Sequence, residues 1–117
     1  MKNLLIVAIL IVASFFAWHK MSGGGPIEAL YDEPYIIVYG RDNCGWTQNF
    51  IRELDARGVE YVFESVDSRQ VCDELHPRMQ EAGLNTKRYN LPVIDVNAHM
   101  FIRPELGDVL EVYEKGS

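Results

Sequence analysis

Two hydrophobic periods succeed one another along this chain. Positions 35–39, Tyr-Ile-Ile-Val-Tyr, are apolar without a break, as in a strand covered on both faces. After Gly40 come the polar residues Arg41, Asp42 and Asn43 and then Cys44; from Gln48 to Arg57 the spacing becomes helical, with Phe50, Ile51 and Leu54 on one side. Gly58 suits the position just past that helix. Positions 59–66 alternate, putting Val59, Tyr61 and Phe63 on one face of a second strand. A second helix is predicted from Asp67 or Ser68, both good caps; it carries Val71, Cys72, Leu75 and Met79, meets Pro77 and stops at Gly83. A third strand covers 91–96, Asn97-Ala98 makes a tight turn, and a fourth strand covers 99–103. Pro104 is expected to open a closing helix that runs to about Lys115, with Leu106, Val109, Leu110 and Tyr113 facing inward. The order is βαβαββα, an α/β fold with a four-stranded mixed sheet and flanking helices. The first two strands, joined through a helix, are expected parallel; the last two, joined by two residues, antiparallel. There is no internal repeat.

Ahead of this pattern lies an apolar run at 4–18, broken only by Ser14, preceded by Lys2 and followed by His19 and Lys20. As a helix it rises about 22 Å, short of a bilayer core of about 30 Å. An uncleaved anchor extends it through Met21 with Lys20 snorkelling to the interface. A cleaved secretory signal fits the basic start and short apolar centre, with Ser22-Gly23-Gly24 as a fair cleavage site. The third alternative is an N-terminal apolar helix buried in the domain. The reading is therefore a signal anchor or signal peptide at 1–21, a flexible Gly-rich linker at 22–33 and the folded domain at 34–117. Lys2 and the free amine favour the cytoplasm, against a flank that turns acidic at Glu28, Asp32 and Glu33. The domain is then membrane-anchored or secreted, outside the cytoplasm in a periplasm-like compartment that tolerates disulfides.

Composition narrows the function. The 117 residues, 48% of them hydrophobic, suffice for one domain, and the formal net charge of −6 sets nucleic acid aside as a partner because phosphate binding needs a basic surface. Two cysteines make neither a disulfide framework nor a four-cysteine zinc site, and no metal site is expected.

Chemistry concentrates at Cys44. A helix start offers unpaired N–H groups and a positive dipole end, and Arg41 adds a cation nearby; both favour thiolate, the nucleophile of disulfide exchange. The polar flanks Asp42 and Asn43 argue against a purely buried cysteine. Thr47, one turn on, is either a hydroxyl donor to the sulfur or an ordinary first-turn residue. Trp46 follows Gly45 on the turn and is read as exposed recognition surface. Cys72 falls on the helix face of Leu75 and Met79, read as a core residue with no structural bridge to Cys44, with a resolving thiol as the alternative. His76 and His99 are read as solvated or capping, and Asp67 as a helix cap.

The element order, a cysteine at the first strand-to-helix turn and a proline opening the third strand together resemble the thioredoxin fold. Within it, the chain from about Tyr35 to Lys115 resembles glutaredoxins through Val-Tyr-Gly-Arg-Asp-Asn-Cys44, Gly-Val-Glu-Tyr at 58–61, Leu-Pro-Val at 91–93 and Val-Asn at 96–97. Cys-Gly-Trp-Thr at 44–47 is similar to the Cys-Gly-Phe-Ser of monothiol members, with Thr47 where dithiol members have a second cysteine. The resemblance implies a glutathione-dependent thiol–disulfide oxidoreductase in which Cys44 attacks mixed disulfides of glutathione with protein thiols. It implies a carboxylate contact at Arg41, a cis bond before Pro92, and pairing of the Leu91 backbone with the cysteinyl part of glutathione. Where the family has Gly-Gly, a variable residue and Asp, this chain has Ile102-Arg103-Pro104-Glu105. Glu105 is the candidate for the glutathione amine, Ile102 is expected to point inward, and Arg103 lies at the groove edge, where its replacement by glycine is expected to speed exchange. Two alternatives stand beside this: an iron–sulfur cluster shared by two chains through Cys44 and glutathione, disfavoured by export and by the missing upstream lysine segment, and a non-catalytic interaction module.

Overall fold

The structure, a computed structural model, describes residues 26–116. The apolar run at 4–18, with the anchor or signal assigned to it, lies outside the described residues. Among the described residues no helix is long and apolar enough to cross a membrane.

The elements follow the expected order: β1 (Ile36–Gly40), α1 (Gly45–Ala56), β2 (Val62–Ser65), α2 (Arg69–Glu81), β3 (Val93–Val96), β4 (His99–Ile102) and α3 (Leu106–Lys115). They build a four-stranded sheet in the order β2-β1-β3-β4. β1 pairs in parallel with β2, Val38 opposite Phe63, because α1 carries the chain back to the same end. It pairs antiparallel with β3, Val38 opposite Ile94, and β3 pairs antiparallel with β4.

The unbroken apolar run of β1 is explained by cover on both faces. Ile37 and Tyr39 pack with Leu75 and Met79 of α2 and with Val93 and Met100. Ile36 and Val38 pack on the other face with Phe50 and Leu54 of α1, Val109 and Val112 of α3, and Ile94 and Val96. Cys72 packs partly buried against the α2-side cluster, its thiol donating to the Val66 carbonyl at 3.1 Å.

Several boundaries differ from expectation. β2 is shorter than 59–66, although Val59, Tyr61 and Phe63 do share the α1/α3 face. Pro104 does not start α3; Glu105 is its extended N-cap and Leu106 its first residue, because Arg103 takes a left-handed φ of 45° and the chain needs two more residues to turn into the helix. Val112 is the third buried side chain of α3, while Leu110 and Tyr113 are only partly buried. Ser68, not Asp67, is the N-cap of α2, and Asp67 instead pairs with Arg41 at 3.0 Å. Helix α2 runs through Pro77. His76 is not simply solvated: its Nε2 is 2.8 Å from the Tyr89 hydroxyl, with the rings edge to face.

Asn97 and Ala98 have φ of 51° and 72°, the paired positive values of a two-residue type I′ hairpin. Asn97 also works at a distance: its Oδ1 accepts the Tyr35 N–H at 2.8 Å and its Nδ2 donates to the Val112 carbonyl at 3.0 Å, fastening β1 and α3 to the hairpin.

A buried polar group absent from the sequence reading lies beneath α2. Asp95 is fully buried, and its carboxylate accepts from the Tyr35 hydroxyl at 3.0 Å, the Ala98 N–H at 3.1 Å and the Arg78 guanidinium. Burial pushes the Asp95 carboxyl up, and Arg78 is the largest pull in the other direction. Arg78 also donates to the Glu28 carbonyl at 2.8 Å, and the Ile27 N–H donates to the Ala98 carbonyl at 2.9 Å. This cluster thus holds the chain entering β1 against the domain. The signal for it is an acidic residue in an otherwise apolar strand, matched by an arginine beside Leu75 and Met79 on one helix.

Candidate functional site

The site forms where β1 hands over to α1. Cys44 is the N-cap of α1, in an extended conformation, with its N–H donating to the Arg41 carbonyl at 3.2 Å and its carbonyl accepting from Gln48 N–H at 3.0 Å. The side chain is half-buried and the thiol is free, as is that of Cys72. Its flanks Asp42 and Asn43 are exposed.

Thr47 is fully buried directly behind the thiol. Its hydroxyl accepts the Arg41 N–H at 3.5 Å and retains its proton for the sulfur. That hydroxyl is the strongest influence drawing the Cys44 thiol below its ordinary range. The Thr47 and Trp46 N–H groups and the charge of Arg103 act in the same direction, against burial, which pushes it up. The N–H contribution is the helix-start effect expected of this position. Arg41 is half-exposed and faces Asp67, so the cation tuning the thiol from across the groove is Arg103.

Gly40, within the Val-Tyr-Gly-Arg-Asp-Asn-Cys44 run, has a definite task. A Cβ built on it would collide with the Thr47 side chain, so the missing side chain is what lets Thr47 pack under the loop.

The opposite wall comes from the β3 and β4 ends. Leu91-Pro92 is a cis peptide and Pro92 is buried. Ile102 packs toward the α2-side core, and the chain then turns at Arg103 in the left-handed region. The Arg103 N–H donates to the Pro92 carbonyl at 2.7 Å. Its side chain folds back across the site, Nε donating to the Leu91 carbonyl at 2.8 Å and the guanidinium lying 4.4 Å from the centre of the Trp46 ring. Trp46 is 59% exposed, with the Arg103 guanidinium against its ring. Beside this pair a groove of about 600 Å³ runs between α1 and the start of α3, lined among others by Asn49, Glu53, Arg57 and the exposed Glu105.

Of the residues singled out in the sequence, Cys44, Thr47, Trp46, Leu91, Pro92 and Arg103 converge on one spot. Arg41 lies behind the loop with Asp67, and Glu105 lies farther along the groove.

This arrangement is a glutaredoxin/thioredoxin-like fold. Among solved structures it is similar to a glutaredoxin from Archaeoglobus fulgidus, at 18% sequence identity and a TM-score of 0.52, over 75% of this chain and 97% of that one. At that identity the likeness is one of fold. No protein-family profile matches the chain, and no curated protein does.

Proposed function

We propose that this protein is a thiol–disulfide oxidoreductase of the single-cysteine glutaredoxin type, acting on mixed disulfides between glutathione and protein thiols. The observation that carries the reading is the half-buried Cys44 thiol at the start of α1, drawn toward thiolate by Thr47, adjacent N–H groups and the charge of Arg103.

In this reading the Cys44 thiolate attacks the glutathionyl sulfur. A new S–S bond forms to Cys44, the bond to the client protein breaks, and the departing thiolate takes a proton from water. A second glutathione thiolate attacks the Cys44 mixed disulfide, forming glutathione disulfide and returning Cys44 as thiolate. Thr47 stabilises the sulfur anion before attack and after release, and Leu91 offers its backbone to the substrate. Attachment to a membrane through 4–18, with the domain outside the cytoplasm, belongs to the same proposal and rests on the sequence.

The test is glutathione-dependent reduction of a glutathionylated protein by the full-length chain. Cys44→Ser is expected to abolish turnover and Cys72→Ser to preserve it; turnover that survives Cys44→Ser would overturn the proposal. An iron–sulfur chromophore in the purified chain would favour the cluster-binding alternative.

A further inference from the structure

Arg103 occupies the left-handed backbone region, at a φ of 45°, which sterically disfavours any residue that has a Cβ. Its side chain nevertheless makes two specific contacts, the hydrogen bond to the Leu91 carbonyl and the stack on Trp46. The partly buried side chain has no carboxylate partner among the described residues, whereas Arg41 and Arg78 are paired with Asp67 and Asp95. Nε is engaged with the Leu91 carbonyl and the guanidinium lies on the Trp46 ring, so a planar donor fork is held on the wall of the site, near enough for its charge to act on the Cys44 thiol.

A substrate strand that pairs with the Leu91 carbonyl competes with the guanidinium or shares the oxygen with it, so a neutral peptide meets an acceptor already engaged. A substrate carrying a carboxylate meets a donor fork of matching geometry, and Trp46 restricts the side-chain freedom that an exposed arginine would lose on binding.

We propose that Arg103 is the specificity-determining residue of this site, selecting mixed disulfides whose sulfur-bearing half carries a carboxylate within reach of the guanidinium, over neutral ones. This rests on the redox reading above for its chemistry and names the substrate class within it. It gives the groove-edge candidate Arg103 a defined part in substrate binding.

The test compares two symmetric disulfides of similar size, dithiodipropionate and bis(2-hydroxyethyl) disulfide, as partners of Cys44 in the full-length chain, with the mixed disulfide followed by mass spectrometry. Each rate is divided by that of a simple alkyl thiol with the same reagent. The ratio of the two normalised rates cancels any change in Cys44 nucleophilicity caused by substitution. The native chain is expected to favour the dicarboxylate despite its net charge of −6. Arg103→Gln is expected to cut the ratio about fivefold to tenfold, as loss of a charge-assisted pair does at a partly solvated site, and Arg103→Lys to recover part of it. High salt is expected to reduce the native preference.

An unchanged ratio in Arg103→Gln overturns the proposal, and so does an Arg103→Gly chain that speeds up equally with both reagents. Failure of the redox reading is told apart by a binding arm. In the Cys44→Ser chain, 3-(methylthio)propionate is expected to move the Arg103 Nε–H resonance while its neutral amide does not. That result sustains the selection even if Cys44 exchanges no faster than a simple thiol. Equal responses, or none, remove it.

Discussion

Gly40 faces Thr47 so closely that a single carbon added to its Cα would overlap the threonine side chain. The last residue of β1 and the first turn of α1 therefore interlock behind Cys44, and the thiol's environment depends on a residue with no side chain.

Gly40→Ala is accordingly expected to force Thr47 or the loop outward, at about 1–3 kcal/mol of overpacking. Gly45→Ala is the control: a Cβ there meets nothing within 4 Å, and at the first position of α1 it is expected to leave stability unchanged or raise it by up to about 1 kcal/mol. Urea unfolding of the two variants measures both effects, and equal destabilisation would contradict the interlock.

The thiol itself gives a second prediction. Because the Thr47 hydroxyl is the largest influence lowering Cys44, and lowering means thiolate forms at lower pH, alkylation of Cys44 should reach its plateau at lower pH than alkylation of an unperturbed thiol. Thr47→Val, close in shape but without the hydroxyl, is expected to move the inflection to higher pH. The low-pH phase should vanish in Cys44→Ser and persist in Cys72→Ser; an inflection unmoved by Thr47→Val would remove the threonine from the mechanism.

Under α2, Arg78 and Asp95 form a pair whose side chains are 13% and 0% exposed. Arg78→Met leaves a buried carboxylate without its counter-charge and is expected to cost about 3–5 kcal/mol, read as a lowered urea midpoint. Adding Asp95→Asn is expected to recover much of that loss, since the amide carries no charge to compensate. Loss of the Arg78 bond to Glu28 should also expose the chain before β1 to proteolysis.

The element order, the two-faced burial of β1, the hairpin at Asn97-Ala98 and the placing of Cys44 at a helix start were all legible along the chain. Each depends on local periodicity and on residues with strong backbone preferences, which act over a few neighbours. The strand and helix ends were less legible: Pro104 reads as a helix start, but α3 waits until Leu106 because Arg103 turns the chain first.

What sequence by itself determined was therefore which fold forms and that Cys44 stands at the start of its first helix. What only the tertiary structure decided was which cation faces it. Arg41 is three positions from Cys44 yet turns to Asp67, while Arg103, distant along the chain, crosses the groove to Leu91 and Trp46. Charge interactions depend on separation in space, and that separation is set by strand register and a single left-handed residue after β4, neither of which leaves a periodic trace in the sequence.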